Sequence, residues 1–347
     1  MTKTTVSESA LSAFIGDVLS STGMRIEDAA IVADVLTWAN LRGVDSHGVA
    51  RLLCYISEIV AGQFDPIGRP VFRSQLPGTF VLECAGTAGP VCMMEATRQC
   101  VRIASEFGVG VGVVNAPTHV GAVGYYTQAI AKQGHVALVV VAGRLLMAYH
   151  GARVASLGTS PISIAVPGSD GGPPLLLDMA SGLIAAGRMR QAALEGRELP
   201  ENAAMDVDGN PTTDPVHAKT VLPLGGPKGS GLALLFECIA GILAGTPIIT
   251  AVATLGKKAP IQNATLIVLN VESFRPLTEY RLDIEELKRT IKALPRRHGF
   301  EELLLPGERG DREAQRRSRD GIPIPADVWN DLEEVSRRTQ VAMPTTA

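Results

Sequence analysis

Six consecutive apolar residues, VALVVV at 136–141, leave the chain little choice of environment for them. Four are valines, whose branched Cβ favours extended backbone, and no polar residue alternates with them to mark a wet face. The run is far too short to cross a bilayer, which takes about 20 apolar residues. It reads as a buried strand, and ATLIVLNVESF at 264–274 reads as a further central strand. At 347 residues the chain is long enough for two domains, or for one domain with large insertions.

On either side of this middle the pattern is helical. Residues 6–60 carry apolar positions at helical spacing: SALSAFIGDVLSSTG ends on Gly23, RIEDAAIVADVLTWANLRG stops near Gly43, and GVARLLCYISEIVAG resumes the period. From about residue 70 short β-like runs take over, with FVLECAG (80–86), VGVGVVNA (109–116), and PISIAVPG and PLLLDMAS split by the turn SDGGP. Helices are expected over 90–108 and through GLIAAGRMRQAALEGREL, and LGGPKGSGLALLFECIAGILAG (224–245) reads as a glycine-rich loop entering an apolar helix. The tail returns to amphipathic helix in LDIEELKRTIKAL and PADVWNDLEEVSRR. The expectation is an α/β (α+β) chain whose two ends, 1–75 and 285–347, form a helical domain framing a sheet-containing domain over 76–284.

A formal net charge of −3 gives no reason to expect nucleic acid or an acidic membrane as a partner. The basic stretches at 288–300 and 309–320 are interrupted by acids and read as solvated helical surface. Five cysteines, an odd number without a CxxC pair, read as buried reduced thiols in a cytoplasmic protein, and the N-terminal stretch reads as an amphipathic helix rather than a signal peptide. Neither HExxH nor paired Cys/His spacing recommends a metal, and GxSxG is missing. No GxGxxG opens a helix after a first strand, so any dinucleotide must be held by a fold other than the Rossmann type.

Four stretches offer chemistry. In DSHGVAR, His47 is a proton carrier, Ser46 a hydrogen-bond partner and Arg51 a fork for a carboxylate; the bland reading is a structural turn. PTHVGAVGYY sets His119 ahead of Gly121 and Gly124, where bare backbone admits a ligand or merely turns the chain. PLGGPKGSGLAL places Lys228 and Gly229 before a helix N-terminus that favours an anion, without matching a P-loop. LPGERGDR (305–312) sets Pro306, Gly307 and two arginines in a turn before the last helices, suited to a phosphate or to solvent.

Taken in order, LRGVDSHGVARL, THVGAVGYY, LGTSPISIAVPG, LLLDMASG, MDVDGNPTTDP, PLGGPKGSGLAL and LLPGERGDREAQRRSRDGI resemble the successive signatures of the malate/L-lactate dehydrogenase-like oxidoreductases, from about residue 6 to 335. The resemblance implies hydride transfer between NADH or NADPH and a small 2-oxo acid, 2-hydroxy acid or cyclic imino acid, in a homodimer. It also implies a non-Rossmann, largely antiparallel nucleotide-binding sheet. By matching motif, His47 would be the acid/base with Ser46 its partner, Arg51 would take the substrate carboxylate, and Thr159 would help bind substrate. His119 would lie beside nicotinamide and substrate, and it bears the acid/base role in some relatives, so the proton donor stays open between the two. Gly121, Asp178, Met179, Ala180, Lys228 and Gly229 would meet the cofactor, and Pro306, Gly307, Glu308 and Arg312 would approach its phosphates. The chain departs from the family pattern at Pro117, Val120, Ser160 and 141–156, and its 246–263 segment is short. The apolar run Leu145–Met147 leans toward a cyclic imine. A catalytically idle cofactor- or small-acid-binding protein of the same fold is the alternative.

Overall fold

A computed structural model describes residues 4–116, 118–250 and 262–346; Pro117 and most of the short 246–263 segment lie outside them. Strand β1 (Thr4–Val6) leads into helices α1 (Glu8–Ser21) and α2 (Ile26–Leu41). Ser7 starts α1 by accepting the N–H of Ala10 on its hydroxyl, which satisfies one of the donors a helix start leaves unpaired. Left-handed Gly23 and Gly43 follow the two helices, as the sequence pattern expects. Helix α3 (Leu52–Val60) comes next.

The main sheet joins β2 (Val71–Arg73), β3 (Thr79–Glu83), β4 (Val109–Ala116), β5 (His135–Gly143), β8 (Ile162–Val166), β9 (Leu175–Met179) and β13 (Gln262–Asn270), in the order β2-β3-β4-β13-β5-β8-β9. Only the β3–β4 pair is parallel. β13 enters between β4 and β5, so that Leu269 faces Val109 on one side and Val136 on the other.

Both faces of this centre are covered, which is why VALVVV carries no polar alternation. Helices α4 (Gly89–Phe107) and α5 (Val123–Ala131) pack on one face, where Cys100, Ile103 and Ile130 meet Val139, Val141, Leu266 and Val268. On the other face lie α7 (Pro227–Phe236) and its π-helical continuation Glu237–Ile242, with the Thr265 hydroxyl donating to the Ile239 carbonyl at 2.5 Å. The glycines of VGVGVVNA serve this packing: a Cβ on Gly110 would stand 2.4 Å from the Cys100 carbonyl oxygen. A smaller sheet, order β11-β10-β12-β6-β7, is built from β6 (Met147–Ala148), β7 (Ala155–Leu157), β10 (Ala204–Met205), β11 (Pro211–Thr212) and β12 (Thr220–Val221).

The chain ends meet. β1 pairs antiparallel with β14 (Ile322–Ile324), and Leu11, Ile15 and Val18 share a core with Leu332 and Val335 of the Ala326–Thr339 helix. The fold is thus α+β, with helical ends around a largely antiparallel, non-Rossmann sheet.

Four sequence readings need correction. LPGERGDR is a turn only as far as Gly307; Glu308 begins a helix to Asp320, which places Arg309 and Arg312 on that helix. α6 (Ala186–Glu195) starts later than GLIAAGRMRQAALEGREL suggests. Cys84, Cys92 and Cys100 are buried, but Cys54 is half-buried and Cys238 exposed. Met147 is fully buried in the small sheet against Leu157, Val221 and Ala233, so of the apolar run Leu145–Met147 it is Leu146 that lines the cleft and Met147 does not. The basic stretch is in part a solvated helix surface, laced with pairs such as Arg316–Glu313 at 2.7 Å, but Arg317 is buried and Arg309 lines the cleft described below. Among the described residues no helix is long and apolar enough to cross a membrane, and no group of three ligands suits a metal ion.

Candidate active site

Between α2 and α3 the chain makes two 3-10 turns, Asp45–His47 and Val49–Arg51. Asn40 at the end of α2 ties the first turn down: its Nδ2 donates to Asp45 at 2.7 Å and its Oδ1 accepts the Val49 N–H at 2.7 Å. Gly48 admits that amide, since a Cβ there would lie 2.2 Å from Asn40 Oδ1. From the far end of the chain, Arg317 donates two nitrogens to the Asp45 carboxylate at 2.6 and 3.1 Å and one to the Asn40 carbonyl at 2.6 Å. The turn is therefore clamped, and His47 leaves it with its Nδ1 3.1 Å from Ser46 Oγ.

His119 arrives from the loop after β4, and its ring centroid stands 5.4 Å from that of His47. The Gly121 N–H donates to His119 Nδ1 at 3.2 Å, and the Tyr55 hydroxyl lies 2.9 Å from the same atom. An Nδ1 that accepts a backbone N–H carries no proton, so the neutral ring holds its hydrogen on Nε2. Burial and the nearby charges of Arg51, His47 and Arg144 hold His119 well below the ordinary histidine range. Burial, then Arg51, lowers His47 to about 4.

Both histidines line a cleft of about 1270 Å³, larger than the roughly 300–1,000 Å³ of most small-molecule sites. Ser46, Arg51, Thr159, Gly121, Asp178, Met179, Ala180 and Gly307 line it too. Asp178 opens to the cleft and accepts the Gly124 N–H at 2.8 Å; burial raises its carboxyl to about 6, against that bond and the Arg42 charge. Arg42 crosses the Trp38 ring at 5.0 Å and donates to the Gly307 carbonyl at 3.0 Å. Trp38, Asp178 and Gly307 thus gather at one end of the cleft, and Arg51, Glu58 and Arg144 at the other, beside the histidines.

Five residues of the sequence reading are not brought to the cleft wall. Lys228 stands on the first turn of α7, and Gly229 packs where a Cβ would lie 2.4 Å from the Ser181 carbonyl oxygen. Pro306 accepts the Leu176 N–H on its carbonyl at 3.2 Å, Glu308 pairs with Lys292, and Arg312 forks onto Glu302. Sequence reasoning passed over Tyr55 and Glu58, although they follow Arg51 at helical spacings of four and seven. It also passed over the Asp45–Arg317 clamp, which spans 272 residues and leaves no local signal.

Comparison with known proteins agrees with this architecture. The malate/L-lactate dehydrogenase family matches residues 6–333. L-sulfolactate dehydrogenase of Methanocaldococcus jannaschii is 35% identical over 325 residues, 92% of each chain. Ureidoglycolate dehydrogenase (NAD(+)) of Escherichia coli is 29% identical over 335 residues, 94% of each chain. The crystal structure of malate dehydrogenase from Entamoeba histolytica superposes with a TM-score of 0.92 at 26% identity, over 99% of this chain and 100% of that one. The chain belongs to the malate/L-lactate dehydrogenase family and is one of its dehydrogenases.

Proposed function

We propose that this dehydrogenase interconverts a small 2-oxo acid and its 2-hydroxy acid by hydride transfer with NADH or NADPH, with His47 moving the proton. The observation that carries the reading is the pair of histidine rings 5.4 Å apart beside Arg51, in a cleft with room for more than a small acid. The names of the relatives, which act on hydroxy acids and in one case with NAD(+), support it.

The residues present fit a nicotinamide dinucleotide. The cleft volume exceeds what an acid needs, and its Trp38–Asp178–Gly307 end offers an aromatic face, a carboxylate and bare backbone. Asp178, Met179, Ala180, Gly121 and Gly307 would hold the cofactor, which supplies or accepts the hydride when bound. Arg51 orients the substrate carboxylate; its Nε is buried and has no hydrogen-bond partner among the described residues. With Nδ1–H turned to Ser46 Oγ, His47 presents the lone pair of Nε2, which takes the hydroxyl proton in oxidation and returns it in reduction. His119 donates its Nε2–H to the same substrate oxygen and stabilises the charge that develops there. Thr159 lines the cleft as well and helps seat the acid.

The same reading keeps 1–75 with 285–347 as a helical unit and 76–284 as the unit for cofactor and substrate, in a cytoplasmic homodimer. A second copy of the chain would cover the exposed Leu235 of α7, Ile242 of its continuation and Leu243 just after it. The test is nicotinamide absorbance with NADH and NADPH across a panel of 2-oxo acids, in the wild type and in His47→Ala. Turnover lost in the variant with cofactor binding retained supports the reading. Cofactor binding without turnover on any acid would instead identify an idle binding protein.

A further inference from the structure

Gln262 opens β13, opposite Ala116 of β4 and Gly143 of β5, and both Gln262 and Gly143 line the cleft. Successive side chains of a strand alternate between its faces, so Gln262 points to the side of Ala264, Leu266 and Val268, under α4 and α5. Asn263 and Thr265 point the other way, onto the carbonyls of Thr246 and Ile239. Gln262 therefore reaches the loop that carries His119, where its Oε1 accepts the Val120 N–H at 2.7 Å. A backbone N–H is answered only by the oxygen of a carboxamide, so this bond fixes which way the amide faces. Nε2, with its two hydrogens, is left beside Gly143, where a Cβ would lie 3.7 Å from it. Among the described residues it has no acceptor. His119 does not supply one: its Nδ1 already receives the Gly121 N–H and faces the Tyr55 hydroxyl, and its Nε2 carries a hydrogen.

The donors at this point of the cleft outnumber what a 2-oxo acid answers. Arg51 takes the carboxylate next to the reacting carbon and the two histidines share the reacting oxygen, which leaves the simplest such acid without a further acceptor. A nicotinamide always brings one. Its carboxamide sits on the ring carbon next to the one that gives or takes the hydride, so a ring placed for transfer beside His47 and His119 carries that amide among the groups flanking them. We propose that Gln262 is a cofactor-positioning residue, its Nε2–H donating to the carboxamide oxygen of the nicotinamide while its Oε1 holds the His119 loop. One side chain then sets both the rotation of the hydride-carrying ring and the place of the histidine that faces it. The proposal rests on the hydride-transfer reading above, and Gln262 moves no proton.

The experiment measures Kd by calorimetry, with no acid present, for whichever of NADH and NADPH binds more tightly and for its thionicotinamide analogue, in which sulfur, a weak acceptor, replaces the carboxamide oxygen. Wild type is compared with Gln262→Glu, which keeps an acceptor for the Val120 N–H but offers no donor, and with Gln262→Met, which loses both. A neutral hydrogen bond predicts a wild-type preference for oxygen over sulfur of roughly three- to tenfold. In both variants that ratio collapses toward one, which general damage to the fold would not produce, since damage weakens both cofactors alike. A wild type that binds the two cofactors equally overturns the proposal without recourse to a variant. So does a ratio that collapses in Gln262→Met alone, which would leave Gln262 as an anchor of the His119 loop. A ratio kept in both variants while KM for the acid rises also overturns it, and would turn Nε2 toward the substrate. Each of these refutes the inference and leaves hydride transfer standing; a chain that binds neither dinucleotide removes both.

Discussion

Replacing each histidine in turn with glutamine separates their duties. Glutamine at 119 keeps an N–H near the position of Nε2 but cannot shuttle a proton, and glutamine at 47 likewise removes the shuttle. If His119 only donates, His119→Gln forfeits part of one charge-assisted hydrogen bond of about 1.5–3 kcal/mol, so kcat falls roughly 3- to 30-fold. His47→Gln removes general acid–base catalysis and lowers kcat by about 10²–10⁴. The pH profile makes the distinction sharper. His47 titrates at about 4 in the free enzyme, and reduction needs it protonated. The kcat/KM for reduction therefore falls with rising pH above about 4, while that for oxidation, which needs the neutral ring, is level there and falls only below it. His119→Gln keeps this dependence and His47→Gln abolishes it. Equal losses in the two variants, or a pH dependence erased by His119→Gln and kept by His47→Gln, would refute the assignment and make His119 the shuttle.

Two further outcomes follow from the same geometry. Asp45→Asn keeps the shape of the clamp but removes the charge that answers Arg317, whose side chain is only 8% exposed. Because Asp45 is partly solvated and Arg317 retains Glu313, the expected cost is about 1–3 kcal/mol, read as a lower midpoint in denaturant together with reduced kcat; a stable variant with full activity would show that the clamp is idle. Both histidines are held neutral below their ordinary range, so the unfolded chain binds more protons than the folded one between about pH 4 and pH 6.5. Their contribution to stability is complete above pH 6.5 and is lost as the pH falls toward 4. Thermal midpoints measured across that window should drop on the acid side, and less steeply in His47→Gln.

What the sequence made legible was local. The uninterrupted apolar run predicts a strand covered on both faces, and α4 and α7 cover it. Gly23 and Gly43 mark helix ends because a left-handed residue is needed there. The DSHGVAR junction is visible because the helical period breaks at it. Legibility fails where an interaction spans the chain. Nothing near Asp45 announces Arg317, and nothing in VGVGVVNA tells a glycine that admits Cys100 of α4 from one that admits a ligand. LPGERGDR was misread for a related reason: Glu308 accepts the Leu305 N–H at 2.9 Å, starting a helix that glycine and proline at 306–307 conceal. Arg144 went unnoticed because its apolar neighbours draw attention, while Met147 turns into the core and Arg144 faces the cleft.

The two histidines reach the cleft from different parts of the architecture, and this ties the chemistry to the docking of the chain ends. His47 belongs to the helical ends, held by Asn40 from α2 and Arg317 from the Glu308–Asp320 helix. His119 belongs to the sheet, carried on the loop between β4 and α5. The hydrogen bond from Tyr55 of α3 to His119 Nδ1 joins the two and sets the ring's protonation at the same time. Sliding the helical ends against the sheet would therefore change the distance between the rings and also release His119 Nδ1, whose remaining donor is the Gly121 N–H. The pairing of β1 with β14 closes those ends without contributing a residue to the cleft wall, with Val6 opposite Ile322. A loss of that pairing should reach the reaction through Arg317, in the last turn of the helix that leads into β14, ahead of any change in the sheet itself.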